Sequence, residues 1–183
     1  MTTSAQPRLA TWSIDSVHSI VEVSAKHMLV STVKGLFHSL EGTLHWDEAD
    51  PAASSVEASI EVASIDTGEA QRDAHLRSDD FLNAEKYPKI TFRSTRLEPL
   101  DDTHCKLYGD LTIRDVTRAV VLDTEYEGQV KDVWGKQRAA FTAETTIDRK
   151  DYGVKWDGLV EMGSVVVGDK LRITLNIAAV RQE

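Results

Sequence analysis

This chain of 183 residues is poor in the groups that staple, span or coat. It has one cysteine, Cys105, so no intramolecular disulfide can form and nothing in the composition points to an oxidising compartment. Cys105 alternates with Leu107, which reads as an inert core thiol rather than a reactive one. Positive charge is scarce: 21 Lys and Arg against 30 Asp and Glu give a net charge of −9. That balance excludes a nucleic-acid partner, whose phosphates demand a basic surface, and weakens docking to anionic lipid. No apolar run approaches the ~20 residues of a membrane span, so the protein is not expected to be an integral membrane protein. The first ten residues lack the apolar core of a signal peptide, and a cytoplasmic location is expected.

What the chain has is alternation. Residues 1–10 are polar and aperiodic and read as a mobile tail; residues 11–183 read as a single domain, long enough to bury a core without staples. The first strand begins near Trp12, breaks around Ser16, Val17 and His18, then resumes with Val21, Val23 and Ala25 alternating against Glu22, Ser24 and Lys26. A second element runs from Val33 to Trp46 with Gly35 and Gly42 inside it, as at bulges or barrel corners. Val56, Ala58, Ile60 and Val62 form the next apolar face, followed by strands opening at Ile90 and Phe92, at Cys105 and at Val116. Ala139, Phe141, Ala143, Thr145 and Ile147 share a face, as do Leu171, Ile173, Leu175, Ile177 and Ala179. The fold class is therefore all-β: about eight antiparallel strands with one short helical insert, long enough to wrap a barrel that holds one small ligand. Small inward residues (Ala25, Ala58, Gly109, Ala139, Ala143) leave room for a cavity.

The helical insert is the polar block from Ser64 to Phe92, where alternation stops and Arg72, Asp73, His75, Arg77, Asp79 and Asp80 crowd together. Asp66 with Glu69 three residues on resembles a capping box. Asp73 and Arg77 are spaced to pair on an exposed helix face, and Arg72–Asp73 reads as a structural ion pair, as does Arg149 with Asp151. Leu76 and Phe81 are expected to pin the insert to the barrel. Tyr87–Pro88 forces an extended lead into the next strand.

Taken in order, these pieces resemble the YceI-like family over residues 12–179. The resemblance rests on Trp12, Asp15, His18 and Ser19; Val23 and His27; Val33, Gly35 and Phe37; and Ser64-Ile65-Asp66-Thr67. It continues through Arg72-Asp73, Leu76, Phe81, Tyr87-Pro88, Ile90 and Phe92, then Gly109, Leu111-Thr112-Ile113 and Val116-Thr117. Ile147, Arg149, Gly153 and Val167-Gly168-Asp169 complete it. The resemblance implies an extended lipocalin-like barrel whose apolar tunnel binds an amphiphile: a polyisoprenoid such as an isoprenoid quinone, or a fatty-acid-like amide. It also implies a homodimer. Many members are secreted to the periplasm, and this chain departs from them in showing no signal peptide.

Against that reading stand two others. His18, His27, His38 and His45 invite a metal, but their spacing matches no zinc pattern; His18 is instead expected to bond backbone at the strand break, and His27 to be an inward histidine with a hydrogen-bond partner. A hydrolase would need a nucleophile, a base and an orienting group, and no motif supplies them. The protein is thus expected to be a non-catalytic carrier or reservoir that needs no cofactor. The ligand tail is expected among Val23, Phe37, Phe92, Leu111 and Phe141, and the head near the Ser64–Phe81 block with Leu76 and Phe81. His27 and Trp156 complete the candidate ligand-binding set. A structural or stress-related interaction protein, its barrel filled by side chains, is the alternative.

Overall fold

The computed structural model describes residues 9–28, 30–156 and 167–183. The expected tail lies outside the described residues up to position 8, and Ala10 already belongs to the first strand. The strands are β1 (Ala10–Ile14), β2 (Ile20–His27), β3 (Ser31–Phe37), β4 (Leu40–Trp46), β5 (Ser55–Glu61) and β6 (Ile65–Asp66). After helix α1 (Ala70–Arg77) come β7 (Lys89–Pro99), β8 (His104–Ile113), β9 (Val116–Lys131), β10 (Gln137–Asp148) and β11 (Val167–Arg181). Every pairing is antiparallel. The order β1-β4-β5-β7-β8-β9-β10-β11 closes on itself through β1 and β11, a lipocalin-like barrel of eight strands. β2, β3 and β6 prolong one wall: β2 pairs with the first part of β11, β3 with β2, and β6 with β3.

The strand break foreseen near Val17 is real, and Asp15 makes it. Its carboxylate accepts from the backbone N–H of Val17 (3.0 Å) and His18 (3.4 Å), from His18 Nδ1 (2.8 Å) and from Arg138 (2.7 Å). The His18 ring therefore meets a carboxylate, not the backbone expected of it. Ser19 fills the gap in the ladder, donating to the Ala178 carbonyl (3.2 Å) and accepting from its N–H (2.9 Å). Partial burial pushes the Asp15 carboxyl up, but the hydrogen bonds from His18, Arg138 and the two amides outweigh it and hold the pKa at about 2. A depressed carboxylate pKa adds stability that is present above the unfolded value of about 3.9 and is lost as pH falls toward 2. Urea midpoints measured from pH 5 to pH 2 are expected to fall less steeply for Asp15→Asn than for the wild-type chain; parallel curves would show that Asp15 adds nothing.

One end of the barrel is shut by aromatic rings. Trp12 is wholly buried with Ala139 and Ala179, and packs on Trp46 with centroids 5.4 Å apart. Trp46 in turn meets Tyr126 at 5.1 Å and Phe141 at 5.5 Å. Two of the small residues expected to open the interior serve packing instead. Ala139 makes room for Trp12, and Gly109 is the bed of the Phe92 ring, where an added Cβ would overlap that ring and lie 2.6 Å from the Arg93 carbonyl.

The insert at the opposite end departs from its sequence reading in detail. Helix α1 is capped by Glu69, whose carboxylate accepts from the N–H groups of Gln71 (3.1 Å) and Arg72 (2.6 Å). Asp66 instead stabilises the turn before it, accepting from Gly68 N–H, a glycine at φ +82°. Asp73 is buried and makes no exposed pair with Arg77; it accepts from the Thr67 N–H (2.8 Å) and hydroxyl (2.6 Å). Arg72 grips the same residue, donating to Thr67 Oγ1 (2.7 Å) and to its carbonyl (2.9 Å). Arg72 and Asp73 are thus structural through a shared threonine rather than through an ion pair.

Candidate ligand cavity

The barrel is not filled by its side chains. An elongated internal cavity of about 620 Å³ runs from the aromatic end to the insert, well inside the roughly 300–1,000 Å³ of small-molecule sites. Its walls follow from the period of the strands: residues two apart point the same way, so Val21, Val23 and Ala25 of β2 face it, as do Leu171, Ile173, Leu175 and Ile177 of β11.

Eight of the nine residues proposed from sequence lie on that wall: Val23, His27, Phe37, Leu76, Phe81, Phe92, Leu111 and Phe141. Trp156 does not. It sits one layer out, its ring 5.1 Å from Phe81 and 4.9 Å from His75, so it backs Phe81 of the insert rather than lining the cavity. His27 reaches the wall, yet its ring has no hydrogen-bond partner among the described residues, contrary to expectation.

Two arginines hold this end of the barrel. Arg114, in the β8–β9 turn at φ +55°, donates to the carbonyls of Phe81 (2.6 Å) and Asp79 (2.9 Å), tying the loop after α1 to the barrel rim. Arg149, 2% exposed, has Asp169 rather than the expected Asp151 as its carboxylate partner among the described residues. It donates to the carbonyls of Val154 and Trp156 (2.9 Å each), Gly168 (3.1 Å) and Val167 (3.3 Å), and pairs with Asp169 at 3.3 Å. Neither arginine's partners could be read from sequence, because carbonyl acceptors carry no residue signature.

Charge along the cavity is segregated by position. Lys26, His27, Arg72 and Arg149 border the insert end, whereas Glu48, Asp101, Asp102 and His104 border the aromatic end. At the latter, backbone N–H of Thr103 and then the His104 ring hold Asp101 down at about 2, while the Asp101 hydrogen bond raises His104. The stretch between is apolar. Cys105 lies on this wall, and burial pushes its thiol up, the opposite of an activated nucleophile. The histidines that crowd the sequence are dispersed by the fold: His18 faces Asp15, His38 faces Asp66 and His45 faces Thr11.

A closed antiparallel barrel around a long apolar cavity, with charges confined to its two ends, defines a lipocalin-like barrel. Within that class the chain belongs to the YceI-like domain family, whose model matches residues 12–179. It is 43% identical over 140 residues to Protein YceI of Escherichia coli O157:H7, covering 76% of this chain and 73% of that one. The crystal structure of the Campylobacter jejuni YCEI protein superposes with a TM-score of 0.74 at 31% identity, over 86% of this chain and 90% of the other. A polyisoprenoid binding domain from Saccharophagus degradans shares the fold at 15% identity, with a TM-score of 0.71 over 96% of this chain and 100% of its own.

Proposed function

We propose that the protein binds a long-chain amphiphile, a polyisoprenoid or isoprenoid quinone, in the barrel cavity, without catalysis and without a cofactor, to carry, store or sequester it. The observation that carries this reading is the cavity of about 620 Å³; at about 30 Å³ per heavy atom, the share of one water in the liquid, it holds about 20 of them. Burying about 20 carbons is worth roughly 16 kcal/mol gross at ~0.8 kcal/mol per methylene. Association costs about 4–15 kcal/mol, so useful affinity follows without a strong polar contact. The shared fold with a domain described as polyisoprenoid binding supports the same reading. The cavity volume equally suits one fatty-acid-length tail, so a fatty amide is the second ligand of choice.

Native mass spectrometry of the protein purified from a lipid-rich host tests this. One lipid per chain, released by organic solvent, is the expected result; a bare mass with nothing extractable would count heavily against a carrier. Homodimerisation belongs to the same proposal. Val130, Val133 and Trp134 stand exposed on the β9–β10 hairpin, an apolar patch suited to a second copy, and light scattering reads the mass directly. No helix among the described residues is long and apolar enough to cross a membrane.

A further inference from the structure

The β2–β3 hairpin ends in the wrong residues for a turn in water. Its connection reads Met28-Leu29-Val30, three apolar residues in a row where Gly, Asn, Asp or Ser normally stand. Met28 is 38% exposed and Val30 85%. Met28 also holds φ +51°, a left-handed conformation that suits Gly or Asn and strains a long side chain. The turn is closed by the Val30 N–H donating to the His27 carbonyl at 3.3 Å, and the Ser31 hydroxyl donates to the same carbonyl at 3.2 Å. A strained turn that shows apolar side chains to water loses stability on both counts, so its compensation lies outside the folded chain.

Position and charge say what that compensation is. His27, the last residue of β2, lines the barrel cavity, as do Lys26 and, across the hairpin, Val33. The tip therefore begins where the cavity ends, on the side of the insert. The exposed Val133 and Trp134 are placed differently, on the β9–β10 hairpin beyond Tyr126 and Phe141, at the end the aromatic rings shut. Residues 26–34 carry two lysines and no carboxylate, in a chain whose net charge is −9. Lys26 donates to the neutral Thr32 hydroxyl at 2.9 Å, and Lys34, 63% exposed, has Glu22 at 3.4 Å. An apolar tip flanked by lysines is the pattern of peripheral membrane anchoring.

We propose that this hairpin is a membrane-docking tip: Met28 and Val30 enter the headgroup layer of a bilayer that carries anionic phospholipid, while Lys26 and Lys34 meet its phosphates. A second copy of the chain is the poorer occupant, because a stable interface takes about 800 Å² from each partner and a narrow turn offers a fraction of that. Fluid lipid takes up such a protrusion without matched shape. The docking rests on the hairpin's own chemistry. Joined to the carrier reading, it sets the cavity against the bilayer, so that an apolar tail passes between them without crossing water.

Flotation with vesicles of equal parts phosphatidylcholine and phosphatidylglycerol tests this, comparing the wild-type chain with Met28→Asn/Val30→Ser and with Trp134→Ser. Neither tip residue borders the cavity, and Asn accepts a positive φ. The double variant should therefore melt at or above the wild-type temperature and keep its co-purifying lipid. Its vesicle partition coefficient should fall at least about tenfold, since two apolar side chains no longer leave water. The wild type should bind vesicles of phosphatidylcholine alone more weakly than the mixed ones. Equal flotation of wild type and double variant, or loss of binding in Trp134→Ser instead, overturns the assignment of the tip; equal binding to both vesicle types overturns the part given to the lysines. A lipid-loaded wild type that ignores vesicles refutes the docking and leaves the carrier standing, whereas vesicle binding by a chain that never yields a lipid refutes the carrier alone.

Discussion

Arg149→Met is expected to lower stability by about 3–5 kcal/mol, the cost of removing one side of a buried charged network. The guanidinium is 2% exposed and serves four carbonyls as well as Asp169, so its loss strands several buried acceptors at once. With a denaturant slope of about 2 kcal/mol/M, the urea midpoint should fall by roughly 2 M. Arg149→Lys should recover little, because a single ammonium cannot span acceptors on two separate stretches of chain as a planar fork does. The carbonyls of Val154 and Trp156 lie on one side of residues 157–166, and those of Val167 and Gly168 on the other. The arginine is thus a clamp between those two flanking segments, and a midpoint within about 0.5 M of the wild type would remove this role.

Ala143→Phe is expected to abolish ligand capture with the fold intact. Ala143 lies on β10 opposite Leu175, its methyl on the cavity wall, so a ring built there enters empty space rather than a packed core. Displacing about four methylenes of ligand forfeits roughly 3 kcal/mol at ~0.8 kcal/mol each, about a hundredfold in affinity. A melting temperature at or above the wild-type value, with the co-purifying lipid gone, is the predicted outcome. Retained lipid at full occupancy would mean that the tail does not pass Ala143. Phe92→Ala and Phe141→Ala should behave in the opposite sense, enlarging the chamber and changing which lipid is held.

The strands were legible because a half-buried strand writes its two faces alternately into the sequence. The apolar series Val21-Val23-Ala25 and Leu171-Ile173-Leu175-Ile177 came through unaltered to the cavity wall. Local chemistry was less faithful in the insert. Asp66 and Glu69 are both good caps, and the turn at Gly68 decides between them by engaging Asp66. Asp73 looked exposed because its spacing to Arg77 suits a surface pair, but Thr67, packed above Gly35 with only 3.1 Å of room for a Cβ there, draws the carboxylate inward. Gly168 and Asp169 open β11, where the register to β2 shifts between Val167 and Leu171.

Taken alone, the sequence determined the all-β class, a barrel of about eight strands, the position of helix α1 and the family, all of which rest on periodicity and ordered local motifs, whereas the element read from Val33 to Trp46 is divided into β3 and β4. Tertiary structure decided what periodicity does not encode. Two inward-facing small residues can either leave space or receive a ring, and only the neighbouring strand settles it: Gly109 lies under Phe92, while Ala58 and Ala143 border the cavity. Trp156 was placed behind Phe81 by long-range packing, since an aromatic in an irregular stretch has no face to declare. The cavity itself exists only once the eight strands have closed.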